Sequence, residues 1–174
     1  MRTFLLDALR KGKATIAPPG PDPAALEEAA RALGERARQR LGRSLAIREI
    51  DAGSCNGCEL EIHAVNNPVY DVERFGLKFV ASPRHADVLL VTGPVTWNMR
   101  EALLRTYNAT PEPKWVVALG DCAVNCGVFA GSPAVVGPLA DILPVDLRVP
   151  GCPPPPLEIV TALLALMEVQ AVRR

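Results

Sequence analysis

From Leu45 onward the chain alternates short, nearly continuous apolar runs with longer stretches of helical periodicity. LAIREI (45–50), LKFVAS (77–82), DVLLVTG (87–93), KWVVALG (114–120) and VDLRV (145–149) read as strands. Unbroken apolar runs of this length belong to parallel strands buried on both faces. CELEIHAVN (58–66), residues 96–108 and residues 157–172 read as helices between and after them. The alternation predicts an α/β fold, a doubly wound parallel sheet with helices on both faces. No internal repeat interrupts it.

Upstream, the punctuation of one helix is clear. Asp22 suits the N-cap, Pro23 the first helical position, and Glu27 and Glu28 the positive end of the helix dipole. Leu26, Ala30, Leu33, Ala37 and Leu41 recur at spacings of three and four, and Gly42 is a natural stop. Arginines 31, 36, 38, 40 and 43 mostly avoid that stripe and are expected on a solvated face, or else against a partner. Ahead of this helix, Phe4, Leu5, Leu6 and Leu9 form a short apolar face before Lys-Gly-Lys and the loop IAPPGPDP. That segment reads either as a frayed terminus or as a docking arm for a partner or a membrane surface. The expected division is a helical N-terminal arm over 1–43 and one domain over 44–174.

Composition narrows the function. The 174 residues suffice for one domain with a core, and 49% are hydrophobic, which argues against disorder. The 19 basic and 19 acidic residues cancel, so no nucleic-acid partner is expected. The cancellation hides a split: residues 1–48 hold ten Lys/Arg against five Asp/Glu, and 49–174 hold nine against fourteen. No run approaches the roughly 20 apolar residues that span a bilayer. The start, MRTFLLDALRKGK, is interrupted by Asp7 and lacks the form of a secretory signal. A cytoplasmic protein is expected, and there an odd number of cysteines, five, points to metal or catalysis before structural disulfides.

Four of those cysteines follow strands. Cys55 and Cys58, in SCNGCELE, come after the first strand; Cys122, in ALGDC, after KWVVALG; Cys152, in PGCPPPP, after VDLRV. In a parallel sheet the loops leaving the carboxyl ends of the strands share one edge and build the site. The four thiols are therefore expected to converge. A thioredoxin-like dithiol accounts for Cys55 and Cys58 but leaves Cys122 and Cys152 without a role. Structural zinc usually shows two knuckles or Cys/His pairs at short spacing, whereas here single cysteines follow 64 and 30 residues further on. An iron–sulfur cluster accepts four thiolates from separate loops. Glycines 53, 57, 120 and 151 allow close backbone approach and are expected to leave amides free for the cluster sulfides. The Cys152-Pro153 step matches the Cys-Pro that closes ferredoxin ligand runs, and the proline run makes a stiff, dry loop. One [4Fe–4S] cluster is the reading these residues support.

The pieces GSCNGCELEI, RFGLKFVASPRHADVLLVTGPVT, ALGDC and LPVDLRVPGCPPPP, spanning 51–160, resemble the small, electron-transferring subunit of [NiFe] hydrogenases and its relative in respiratory complex I, the 20-kDa subunit. The resemblance implies a flavodoxin-like fold and one [4Fe–4S] cluster ligated by Cys55, Cys58, Cys122 and Cys152. Complex I members usually carry two adjacent cysteines at the first position, so C-x-x-C followed by Glu59 looks like the hydrogenase pattern. The lack of a further cysteine-rich segment is similar to the small subunits of membrane-bound, complex-I-like hydrogenases such as formate hydrogenlyase. By that resemblance the chain relays electrons between a hydrogenase-like large subunit and a ferredoxin-like iron–sulfur subunit, beside membrane subunits, on the cytoplasmic side of the inner membrane. The alternative within the class is quinone reduction by a terminal cluster.

The remaining candidates are less specific. Cys126 stands where a small residue is expected and is a bystander thiol, a substitute ligand or a second redox group. Glu59 and Glu61 complement the dipole of the helix they begin; the resemblance also makes Glu59 a proton-path residue facing the large subunit. His63 and His85 have no partner at zinc-ligand spacing, and Arg84 is expected to support a reduced cluster or fix a loop. Trp97 and Met99 begin a helix and serve either the core or a partner contact. An apolar docking face is expected around the cluster edge.

Overall fold

The computed structural model describes residues 22–169. The first helix, α1 (Pro23–Leu41), forms as its punctuation dictates: the Asp22 carboxylate accepts the Ala25 N–H at 3.1 Å, and Gly42, at φ 69°, closes the far end on the Arg38 carbonyl. Leu26, Ala30, Leu33 and Ala37 bury completely and pack along the last helix, α5 (Pro156–Val169), inside the same core as the sheet. The docking role expected of the segment before Asp22 lies outside the described residues.

Arginines 31, 36, 38 and 43 are exposed, as a solvated face requires, while three of the five also reach neighbouring elements. Arg40 donates to the Met167 carbonyl at 2.9 Å and lies 5.0 Å from the Trp115 ring centroid. Arg36 pairs with Glu168 at 3.7 Å. Just past the helix, Arg43 grips the buried carboxylate of Asp87 with both guanidinium nitrogens, at 2.9 and 2.6 Å. Asp87 also accepts the Ala46 N–H at 2.9 Å, so one carboxylate ties the helix exit to the first strand.

Five parallel strands form the sheet: β1 (Leu45–Asp51), β2 (Leu77–Phe79), β3 (Val88–Thr92), β5 (Trp115–Leu119) and β7 (Leu147–Val149). Their order is β2-β1-β3-β5-β7, the flavodoxin arrangement, with Ile47 opposite Val88 and Val88 opposite Trp115. β3 and β5 are buried at every position, as their unbroken apolar runs require. Alternate residues feed two cores. Leu45, Ile47, Leu90 and Val117 face α1, α5 and the helix α2 (Gly57–Val65). Ile50, Leu89, Val91 and Val116 face Leu103 of α3 (Trp97–Ala109).

One predicted strand is shorter than expected, and two short strands and a short helix have no periodicity to announce them. The strand expected over 77–82 stops at Phe79, at the sheet edge. β4 (Val95–Thr96) pairs antiparallel with β6 (Val135–Gly137) in a separate ribbon. A five-residue helix, α4 (Asp121–Asn125), follows β5 and carries Cys122.

Candidate metal centre

Cys55 sits in the loop leaving β1, and that loop is shaped by one carboxylate. Asp51, the last residue of β1, accepts the N–H groups of Gly53 and Ser54 at 2.8 and 2.6 Å. The Ser54 hydroxyl then accepts the Asn56 N–H at 3.0 Å, and Asn56, at φ 71°, turns the chain into α2. Cys58 falls in the first turn of that helix, while Cys122 is buried at the start of α4. Cys152 is exposed on the proline-rich loop after β7, followed by a cis Cys152-Pro153 bond.

The three loops meet. A Cβ built on Gly120 would lie 2.6 Å from the Cys58 sulfur and 3.4 Å from the Gly151 carbonyl. One built on Gly57 would lie 3.5 Å from the Cys55 sulfur and 3.9 Å from Pro153 Cδ. All five thiols are free. Burial, then Glu59, then the neighbouring Cys122, Cys55 and Cys152 push the Cys58 thiol up to about 12. Burial pushes Cys122 up as well, reinforced by Cys152 and Cys55. The four sequence-predicted thiols therefore share one electrostatic site, in which bare thiolates repel each other. Such a set of soft donors suits a group that brings positive charge. Among the described residues, no group of three or more His, Cys, Asp or Glu is placed to hold a metal ion.

The structure corrects one expectation. The amides of Gly53, Gly120 and Gly151 are not free: they donate to the Asp51 carboxylate, the Val149 carbonyl and the Asp121 carboxylate, each at 2.8 Å. The glycines instead provide room, since side chains at 120 or 151 would strike the Cys58 sulfur or the backbone of Pro154. An Asp one or two residues before Gly is a turn former, so Asp51 carried a signal; Asp121 was visible only once β5 and β7 were neighbours.

Cys126 caps α4 in the left-handed region, at φ 69°. Its thiol is buried, and burial followed by Asp141 pushes it up. Its backbone N–H donates to the Cys122 carbonyl at 3.0 Å, which seats it directly after that proposed ligand. Glu59 does begin α2, but it is also buried: its carboxylate accepts the Thr92 hydroxyl through Oε1, while Oε2 has no partner among the described residues. Nearby Glu49 on β1 is pushed up by burial and then by Glu59, with His63 opposing. Thr92 and Glu49 had no sequence signal of their own. Arg84 and His85 lie exposed in the turn entering β3, at the amino end of that strand rather than at the cysteine edge.

Against known proteins, the family described as NADH ubiquinone oxidoreductase, 20 Kd subunit matches residues 55–166, a span that contains all three loops apart from the turn before Cys55. The chain belongs to this family. Its relatives in the family include a protein of Pyrococcus furiosus named as a membrane-bound hydrogenase subunit, 50% identical over 128 residues, covering 74% of this chain and 77% of that one. Formate hydrogenlyase subunit 7 of Escherichia coli is 43% identical over 136 residues, 78% of this chain, which spans about half (53%) of that relative. Among solved structures, a chain of the membrane-bound sulfane sulfur reductase, an archaeal respiratory membrane complex, matches with a TM-score of 0.65 and 34% identity over 79% of this chain and 74% of that one. Family membership thus bears out the resemblance seen in the motifs, and the fold agrees. Among the described residues, no helix is long and apolar enough to cross a membrane.

Proposed function

We propose that this chain is an electron-relay subunit of a membrane-bound, complex-I-like oxidoreductase, holding one [4Fe–4S] cluster between Cys55, Cys58, Cys122 and Cys152. The observation that carries this reading is the meeting of three strand-end loops at Gly120, where the Cys58 sulfur, the Cys122 helix and the Gly151-Cys152 turn come into contact. When bound, the group supplies one-electron transfer. The residues of this chain would hold it, stiffen one side of the site with the proline loop, and tune it through neighbouring charge. No bond chemistry is assigned to the chain alone.

The partners we assign are a hydrogenase-like large subunit, a ferredoxin-like iron–sulfur subunit and membrane subunits, with this chain peripheral on the cytoplasmic side. The hydrogenase and formate hydrogenlyase subunits among its relatives favour this arrangement, as does the C-x-x-C-Glu pattern. Glu59, buried beside the cage with one carboxylate oxygen unpartnered among the described residues, is our candidate for a proton-path residue; an assembled Glu59→Gln complex with full turnover would remove it. The quinone-reducing alternative draws on the family itself. Anaerobic purification with partners retained, followed by iron, nickel and zinc analysis, separates the readings. Iron with nickel supports the hydrogenase relay, iron without nickel supports the quinone reading, and zinc without iron rejects both.

A further inference from the structure

The loop that carries Cys152, Pro150 to Pro156, is nearly bare of hydrogen-bond donors. Five of its seven residues are prolines, so only Gly151 and Cys152 have an N–H. The Gly151 N–H is committed to Asp121, donating to Oδ1 at 2.8 Å. The bond is reciprocated, because the Asp121 N–H donates to the Gly151 carbonyl at 2.8 Å. One residue earlier, Gly120 donates to the Val149 carbonyl at 2.8 Å. Asp121 and Gly151 each immediately precede a cysteine of the cage, so this two-way tie fixes the separation of Cys122 from Cys152. Gly151, at φ 130° and packed against Pro154, leaves no room for a side chain: a Cβ there would lie 2.7 Å from the Pro154 backbone.

Resting on the cluster reading above, we propose that Asp121 is a positioning residue that locks the Cys152 loop to the Cys122 loop, and that its carboxylate keeps the reduction potential of the bound cluster low. Two effects act in the same direction. The carboxylate adds negative charge next to two ligands, and it holds an amide that would otherwise be free to donate to cluster sulfur. Both disfavour the added electron.

The test uses the anaerobically purified complex carrying Asp121→Asn or Asp121→Ala. The Asn side chain still offers Oδ1 to the Gly151 N–H but no charge. Its complex is expected to keep full iron and the wild-type EPR line shape, while the ratio of reduced to oxidised cluster at a fixed potential rises about tenfold, about 59 mV for one electron. The Ala variant, without an acceptor, is expected to show a broadened signal and lower iron occupancy. An Asp121→Asn complex that titrates at the wild-type potential overturns the charge claim, including where the Ala variant fails to assemble. An Asp121→Ala complex with unchanged line shape and iron overturns the positioning claim. Failure of the cluster reading is distinguishable, because the wild-type complex itself would then lack a signal sensitive to Cys122→Ser.

Discussion

Gly120 shows how little freedom the site leaves at a single residue. It takes φ 86° and ψ 156°, a region open essentially to glycine, and a Cβ there would stand 2.6 Å from the Cys58 sulfur. Gly120→Ala is therefore expected to cost about 1–3 kcal/mol in backbone strain alone. It should also displace Cys58, so iron bound per chain falls several-fold in a quantitative iron assay. Cys126→Ser is the contrasting case: Cys126 is outside the proposed ligand set, so iron content should stay at the wild-type level. The convergence of the loops carrying Cys55, Cys58, Cys122 and Cys152 was legible in the sequence because each follows an apolar run, and parallel topology brings such ends together. The fate of the glycine amides was not. Whether an N–H is free depends on which carboxylate reaches it, and Asp121 reaches Gly151 only because β5 and β7 are adjacent.

At the scale of elements, the α1 stripe was readable because one-sided burial imposes a period of 3.6, and the strands because burial on both faces leaves nearly unbroken apolar runs. The roles of the arginines were not readable, since charge on the far side of a helix looks the same whether it meets water or a neighbouring element. Arg43 illustrates the difference. It is itself more than half exposed, yet its partner Asp87 is buried. Arg43→Ala should lower the unfolding free energy by about 1 kcal/mol, the exposed end of the pair being screened by solvent. Leu33→Ala, in the α1–α5 contact, should cost about 2–5 kcal/mol through the cavity it leaves. Urea unfolding midpoints order the two variants: Leu33→Ala is expected well below Arg43→Ala, and the reverse order would deny α1 its place in the core.

For the whole molecule, the placement of exposed apolar side chains agrees with a covered cage. Of the four large hydrophobics exposed among the described residues, Leu60, Trp97 and Val128 lie at the carboxyl edge of the sheet. Leu60 is in the first turn of α2, Trp97 opens α3 beside the β4–β6 ribbon, and Val128 lies in the turn that follows the Cys122 helix. A docking face was anticipated from the need to shield a relay centre, with Trp97 already a candidate contact; Val128 had no signal of its own, because it follows α4, an element too short to announce itself. Val128→Asp should break the co-purification of this chain with its large partner subunit while leaving its own unfolding midpoint unchanged, because Val128 is 82% exposed. Retention of the partner would move the interface elsewhere.

The central claim, that Cys55, Cys58, Cys122 and Cys152 hold one [4Fe–4S] cluster, is tested most directly by low-temperature EPR of the reduced complex in wild type, Cys122→Ser and Cys126→Ser. A [4Fe–4S] signal that is lost or altered in Cys122→Ser and intact in Cys126→Ser is the predicted result. A signal indifferent to Cys122, or dependent on Cys126, would contradict it.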